Sequence, residues 1–391
     1  MEPTPIPDAV RALCNELDRP FYLYDRTRIE ENIRRFRSIS YPHTKIHFAS
    51  MANDNPVLLG MLRDNGFGLF VNSLKHLALA DAAGIDDVIF ASTGVPEHVM
   101  RRLVQRGVWV NLDSVDQVAL FGRLSPGGRA GLRLNIDEKS KNNVFIGAES
   151  RIGVMESEID AAFDAARAAG VTLTGPHVYL GTDVTDIADL VAGVDRTIAL
   201  SDAFAELAFV DLGGGFPLEA ERFDFAAYDA ALNERMTCLA ERRGRAVQLV
   251  LEPGRAMFGD AARFYVQVTD VKERPDRWIV CTNASASLIP RAMFYEDYNP
   301  VAPAFPDGEA PFDKPVDIVG ATTYSRDFMA RGVTLPRVRI GDWLRFDHAG
   351  SYCYSMITRF LGQDMPPEYL RAPDGTPVLI REGERFLEEA V

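Results

Sequence analysis

The chain has 391 residues, 47% of them apolar and 25% charged, with a formal net charge of -14 at pH 7. That length can bury a large core and suits one large domain with a smaller companion, while the acidic balance disfavours nucleic acid and anionic membranes as partners. No apolar run approaches the roughly 20 residues of a membrane span, the opening "MEPTPIPDAV" lacks the basic and apolar regions of a secretory leader, and a cytoplasmic location is expected.

In chain order, "PFYLYD" near the N-terminus is apolar and aromatic, and is expected to join strands from the far end of the sequence. Eight further strand candidates follow: "KIHFA" (45–49), "FGLFV" (67–71), "DVIFA" (87–91), "VWVNL" (108–112), "AGLRLNI" (130–136), "GPHVYL" (175–180), "AFVDL" (208–212) and "VQLVLE" (247–252). Between them, stretches such as "NPVLLGMLRDNG" and "EIDAAFDAARAAG" carry apolar residues at helical spacing and close on a glycine that stops a helix. Eight strand-helix units in this order favour a (β/α)8 barrel over an open doubly wound sheet. Past Glu252, "ARFYVQVTDVKE", "RWIVCTNA", "VDIVGATTY" and "DWLRFDHAG" alternate or run apolar between Pro, Gly and Asp, as antiparallel β structure does. The expected organisation is an α/β barrel over 28–260 and a C-terminal antiparallel β domain built from 1–27 with 261–391. Cys14, Cys238, Cys281 and Cys353 are far apart with no Cys-x-x-Cys pair, so neither a disulfide framework nor a metal site is indicated; Cys14 and Cys238 are expected as small buried residues.

Functional residues of such a barrel gather at the C-terminal ends of its strands. After the seventh strand, "DLGGGFP" places Gly213, Gly214 and Gly215 where missing side chains let backbone N–H groups approach an anion, although a tight turn explains a glycine run equally well. After the eighth, "LEPGRAMFG" supplies Glu252, Gly254 and Arg255, and the loops after strands seven and eight are the usual seat of a phosphate. The sixth strand ends in "PHVYLGTD", which brings His177, Gly181 and Thr182 to the same mouth. A lone histidine is more often structural, so its position is what singles it out.

Taken together, "HFASMANDNP", "HVYLGTD", "DLGGGFP", "EPGRAMF", "GATTYSRD" and "DHAGSYCYS" resemble, in order and approximate spacing, the motifs of the fold-type III pyridoxal-phosphate decarboxylases, the group of ornithine and diaminopimelate decarboxylases with a barrel like that of alanine racemase. The resemblance covers nearly the whole chain. It implies that His177 stacks on the cofactor ring, that Thr182, the glycines 213 to 215, Arg255 and Tyr352 hold the phosphate, and that Glu252 pairs with the pyridine nitrogen. A ring kept protonated in this way is an electron sink for a carbanion. It also implies a homodimer in which the segment around Thr323 lies across the subunit interface, and a small amino-acid or amine substrate.

The reactive positions depart from the family. Its loop after the first strand reads Tyr-Ala-x-Lys-Ala-Asn, and the lysine forms a Schiff base with the cofactor aldehyde; here Phe48, Ala49, Ser50, Met51, Ala52 and Asn53 align, and Met51 takes the lysine's place. A thioether forms no imine and moves no proton. The family's Cys-Glu or Cys-Asp pair becomes Thr323 and Tyr324, and the usual Asp after strand two becomes Phe70. Several changes together argue for natural divergence rather than a single substitution. Lys75 stands at the mouth after strand two but follows Ser73, a helix-cap residue, and reads as a solvated first-turn lysine; Lys45 lies at the far end of its strand. Three readings stay open: a diverged catalyst holding pyridoxal phosphate non-covalently, a non-catalytic regulatory or structural dimer, and a pocket reassigned to another phosphorylated ligand.

Overall fold

A computed structural model describes residues 8–136, 147, 150–295 and 297–385. Residues 1–7, most of the stretch read for a leader, lie outside it. The chain forms two compact units, Ile33–Ala256 and Met1–Asn32 with Met257–Val391.

The first unit is a closed parallel barrel. Its strands are Thr44–Ala49, Gly68–Val71, Val88–Phe90, Trp109–Leu112, Arg129–Asn135, Thr172–His177, Phe209–Asp211 and Gln248–Leu251. Each pairs in parallel with the next, and the last returns to the first through Leu249 opposite Thr44. Parallel neighbours need a crossover, and helices provide it. Pro56–Asp64 starts on Asn55, whose side chain accepts from the Val57 N–H, and Leu74–Ala83 starts on Ser73, which accepts from His76 N–H. Gly84 in the left-handed region then ends the latter helix. The sixth strand begins three residues earlier than "GPHVYL" suggests. Gly175 sits inside the strand, where a Cβ would lie 2.3 Å from the Phe209 carbonyl oxygen.

Inside the barrel, Ala49, Phe70, Ile89, Ala91, Phe209 and Val250 form one apolar cluster, with Met51 and Trp109 packed against it. Each large side chain removed from water here contributes about 1.5–3 kcal/mol. The cluster therefore fixes the lumen and the positions of residues just above it.

The second unit is a mixed sheet, antiparallel-rich as expected. Phe21–Asp25 lies between Ala262–Glu273, antiparallel, and Glu368–Arg371, parallel. Trp278–Thr282 also runs parallel to Val316–Val319. Within this antiparallel-rich sheet the two parallel pairs are each joined by a long connection that short-range alternation does not reveal. Helix Asp8–Glu16 buries Val10, Leu13 and Cys14 against Phe21, Tyr265 and Trp343, and Phe21 stacks on Tyr265 at 4.9 Å. Cys14 is buried as expected, but Cys238 is exposed on the long helix Phe225–Arg243, whose buried residues are Tyr228, Leu232, Met236 and Leu239. Among the described residues no helix is long and apolar enough to cross a membrane.

Candidate functional site

The strand ends converge on a buried polar group. His177 closes the sixth strand, Asp211 the seventh, and Glu252 follows the eighth; one ligating atom from each lies within 4.8 Å of the others. His177 Nε2 is 3.5 Å from Glu252 Oε2. Asp211 is fully buried and accepts from Asn111 Nδ2 at 3.3 Å and from the Gly213 N–H at 3.0 Å, which ties the lumen to the glycine loop. Arg133, on the fifth strand, lies at 4.0 Å from Asp113, itself held by the Gly153 N–H.

Burial dominates the electrostatics. It pulls His177 down to about 4, partly countered by Asp211, so the imidazole is neutral at ordinary pH. Burial also lifts Asp211 and Glu252 well above the carboxylate range, and Glu252 raises Asp211 further. Asp113 is pushed up to about 6 by burial, against the pull of Arg133. Burial lowers Arg133, while Asp113, Glu252 and Asp211 favour its charge.

Above this group lies a backbone cradle. Gly213 and Gly215 have φ of +65° and +97°, in the left-handed region that favours glycine. A Cβ on Gly213 would meet the Val178 carbonyl oxygen at 2.5 Å, one on Gly214 the Glu252 carbonyl oxygen at 2.7 Å, and one on Gly215 the Gly181 carbonyl oxygen at 3.1 Å. The loop is stitched to its neighbours by Glu252 N–H to Gly213 O and Val184 N–H to Gly215 O. Gly181 sits at φ +144° and Tyr179 makes a short hydroxyl hydrogen bond to Thr182. Gly254 precedes the one-turn helix Arg255–Phe258, and the Arg255 charge acts on the Tyr179 phenol.

Met51 is held in place from below. The preceding Ser50 is fully buried and donates both its N–H, at 3.0 Å, and its hydroxyl, at 2.9 Å, to the Phe70 carbonyl. Phe70 in turn packs on the same lumen cluster as Met51, and its ring centroid is 6.0 Å from that of His177. The positions where the resemblance has lysine and aspartate are therefore neighbours, and both are apolar here. Lys75 is 75% exposed and lies 3.6 Å from Asp54; Lys45 pairs with Asp87 at 2.6 Å.

The remaining expected residues belong to the second unit. Thr323 and Tyr324 lie in a loop organised by buried Asp327, which accepts from Thr322 Oγ1, Ser285 Oγ and the Ala286 N–H. The Tyr324 ring meets Phe360 edge-on at 5.3 Å. Tyr352 adopts φ +56°, uncommon for a tyrosine.

The structure thus brings together His177, Gly181, Thr182, the three glycines, Glu252 and Arg255 within one unit. It adds Asp113, Arg133, Tyr179 and Asp211. A charged residue inside an apolar strand, as in "LRLN", is the signal that marks Arg133. Among the described residues, Glu252 Oε1 and His177 Nδ1 are buried with no hydrogen-bond partner. An acceptor left in this state is costly unless a ligand satisfies it. The orphaned carboxylate oxygen beside a glycine cradle with an arginine fits a protonated pyridine ring carrying a phosphate.

The pyridoxal-binding domain of the pyridoxal-dependent decarboxylases matches residues 26–259. The chain is 28% identical to diaminopimelate decarboxylase of Methanothermobacter thermautotrophicus, over 97% of this chain and 92% of that one. It is 29% identical to a probable chloroplastic diaminopimelate decarboxylase of Oryza sativa subsp. japonica, over 94% and 78%. A crystal structure of a diaminopimelate decarboxylase superposes with a TM-score of 0.88 at 24% identity, covering 97% of this chain and 94% of that one. Another, from Helicobacter pylori complexed with L-lysine, does so with 0.86 at 21% identity, covering 97% and 99%. The match of that domain over residues 26–259, more than half of the sequence, places this chain in the pyridoxal-dependent decarboxylase family.

Proposed function

We propose that this protein binds pyridoxal phosphate without covalent attachment and presents it to a small amino-acid-type substrate, of the diaminopimelate or lysine kind that its relatives' names suggest. The observation that supports this most strongly is the pairing of an intact cradle with an altered reactive position: Glu252 keeps an unsatisfied buried oxygen, while Met51 stands against Phe70. When bound, the cofactor supplies an electron sink for breaking a bond to the carbon that bears the substrate amine.

The residues divide the work. Glu252 would hold the ring nitrogen and keep its proton there, and burial, with Asp211 and Arg133, sets how readily Glu252 ionises. Neutral His177 adds no competing positive charge. Gly214 and Gly215, with Gly213 tying the loop to Asp211, would let backbone N–H groups reach the phosphate together with Thr182, to which Tyr179 is bonded, and Arg255. Met51 and the cluster beneath it exclude water from the lumen floor. Met51 moves no proton, and Thr323 and Tyr324 supply neither thiol nor carboxylate, so slow turnover is expected. That same chemistry supports the second reading, a non-catalytic relative that keeps the fold and the cofactor. A homodimer and a cytoplasmic location complete the proposal.

Titration of the purified protein with pyridoxal phosphate, followed by absorbance, tests it. One cofactor per chain with the spectrum of a free aldehyde is expected. Failure to bind the cofactor would favour another phosphorylated ligand.

A further inference from the structure

We infer that the ring site does not read the oxidation state of the carbon at ring position 4, so that pyridoxine 5'-phosphate, the 4'-alcohol, binds about as well as the aldehyde. This rests on the reading that the cradle takes a pyridoxal-type phosphate.

The polar groups that suit such a molecule serve parts of it other than the 4-substituent. Glu252, with its orphaned oxygen, suits the ring nitrogen, and the glycine loop with Arg255 suits the phosphate. In this ring the 4-substituent is para to the nitrogen and points away from whatever holds it. Beside these groups the lumen offers Ala49, Phe70, Ala91 and the partly buried Met51, and the Phe70 ring centroid lies 6.0 Å from that of His177. None of these forms a covalent bond with an aldehyde or hydrogen-bonds it in preference to an alcohol.

The described amines of the barrel unit are turned elsewhere. The barrel unit contains Lys45, Lys75, Lys139 and Lys141, of which the last two lie outside the described residues. Lys45 is paired with Asp87 at the opposite end of its strand, and Lys75 extends into solvent beside Asp54. A site that recognises nitrogen, ring and phosphate, but has no described amine turned toward the lumen cluster, selects a class of 5'-phosphates rather than one aldehyde. The 4'-amine is the exception: its ammonium would lose hydration against Met51 and Phe70, so pyridoxamine 5'-phosphate should bind more weakly at neutral pH.

Equilibrium dialysis of the wild-type protein against pyridoxal 5'-phosphate and pyridoxine 5'-phosphate, each alone, decides the matter. Dissociation constants within about tenfold of each other, a difference under about 1.4 kcal/mol, support the inference. Aldehyde binding more than about a hundredfold tighter than alcohol binding would overturn it, because some amine of the chain would then be reading the aldehyde. If neither ligand binds, the proposed function fails instead. Met51→Lys supplies the contrast: it should tighten aldehyde binding and leave the alcohol no tighter. Equal tightening of both would overturn the placement of Met51 against the 4-substituent, and the wild-type comparison stands if this variant does not fold.

Discussion

Replacing Met51 by lysine should cost stability and restore covalent chemistry at once. The stems are similar in length, so the change fits sterically, but the new ammonium would lie against Ala49, Phe70 and Ala91 with an aromatic ring where the family resemblance has an aspartate. Full burial drives a lysine to a pKa of about 5–6. Met51 is only partly buried, so a drop of about 2 units is expected, equivalent to about 2.7 kcal/mol. With the folded pKa below the unfolded one, the unfolded chain binds more protons between the two values. The penalty is therefore complete at pH 7 and fades as pH rises through about 8 to 10. Chemical denaturation at pH 7 and at about pH 9.5 reads this directly. The same low pKa leaves a fraction of free amine at mild pH, so added pyridoxal phosphate should become fixed to residue 51 by borohydride, as mass spectrometry of the peptide would show. Adding Phe70→Asp should recover about 1–2 kcal/mol relative to the sum of the single changes, since the two side chains share one cluster. Tight cofactor binding with no adduct at residue 51 would refute the reasoning, because Met51 would not then face the aldehyde.

Arg255→Ala should weaken binding of pyridoxal phosphate by about 2–4 kcal/mol while leaving unphosphorylated pyridoxal unaffected, and competitive dialysis with the two compounds separates these effects. Gly214→Ala should abolish cofactor binding with an unchanged circular dichroism spectrum, as its Cβ would lie 2.7 Å from the Glu252 carbonyl oxygen. In the cofactor-free protein, Asp211 and Glu252 are held above the unfolded carboxylate range by burial, so the folded chain binds more protons and stability is lost as pH rises through their folded pKa values. Glu252→Gln should flatten that fall in melting temperature, by about 1.4 kcal/mol for each unit of displacement removed; an unaltered slope would mean that Glu252 is not the titrating group. Light scattering should show a dimer at micromolar concentration, and a monomer would count against the proposed assembly.

Much of the barrel was legible because its strands are short apolar runs bounded by glycine and by capping residues such as Asn55 and Ser73, all of which are local signals. The sixth strand was placed three residues late, and the bare Cα of Gly175 within it is what lets Phe209 approach. The glycine loop, Glu252 and Arg255 could be singled out from strand-end position. Asp211 and Asp113 were missed, and Arg133 carried only the signal of its charge within "LRLN", since a charged residue is ordinarily read as solvent-facing; the closed barrel brings both carboxyls to Arg133. Tyr179 was passed over in favour of His177, yet it is Tyr179 that bonds Thr182 and feels Arg255, while His177 lies among the buried carboxylates. Parallel pairing of Phe21–Asp25 with Glu368–Arg371 joins residues far apart in sequence, which no window of alternating residues encodes.

The central claim is that the cofactor is held by the cradle and by no covalent bond. The direct measurement is mass spectrometry of the protein saturated with pyridoxal phosphate, in native solution and again after borohydride treatment and denaturation. The account predicts one cofactor mass per chain in the native spectrum and the bare chain after denaturation. A pyridoxyl group retained on any lysine at one per chain, with Lys75 the first to inspect, would contradict it.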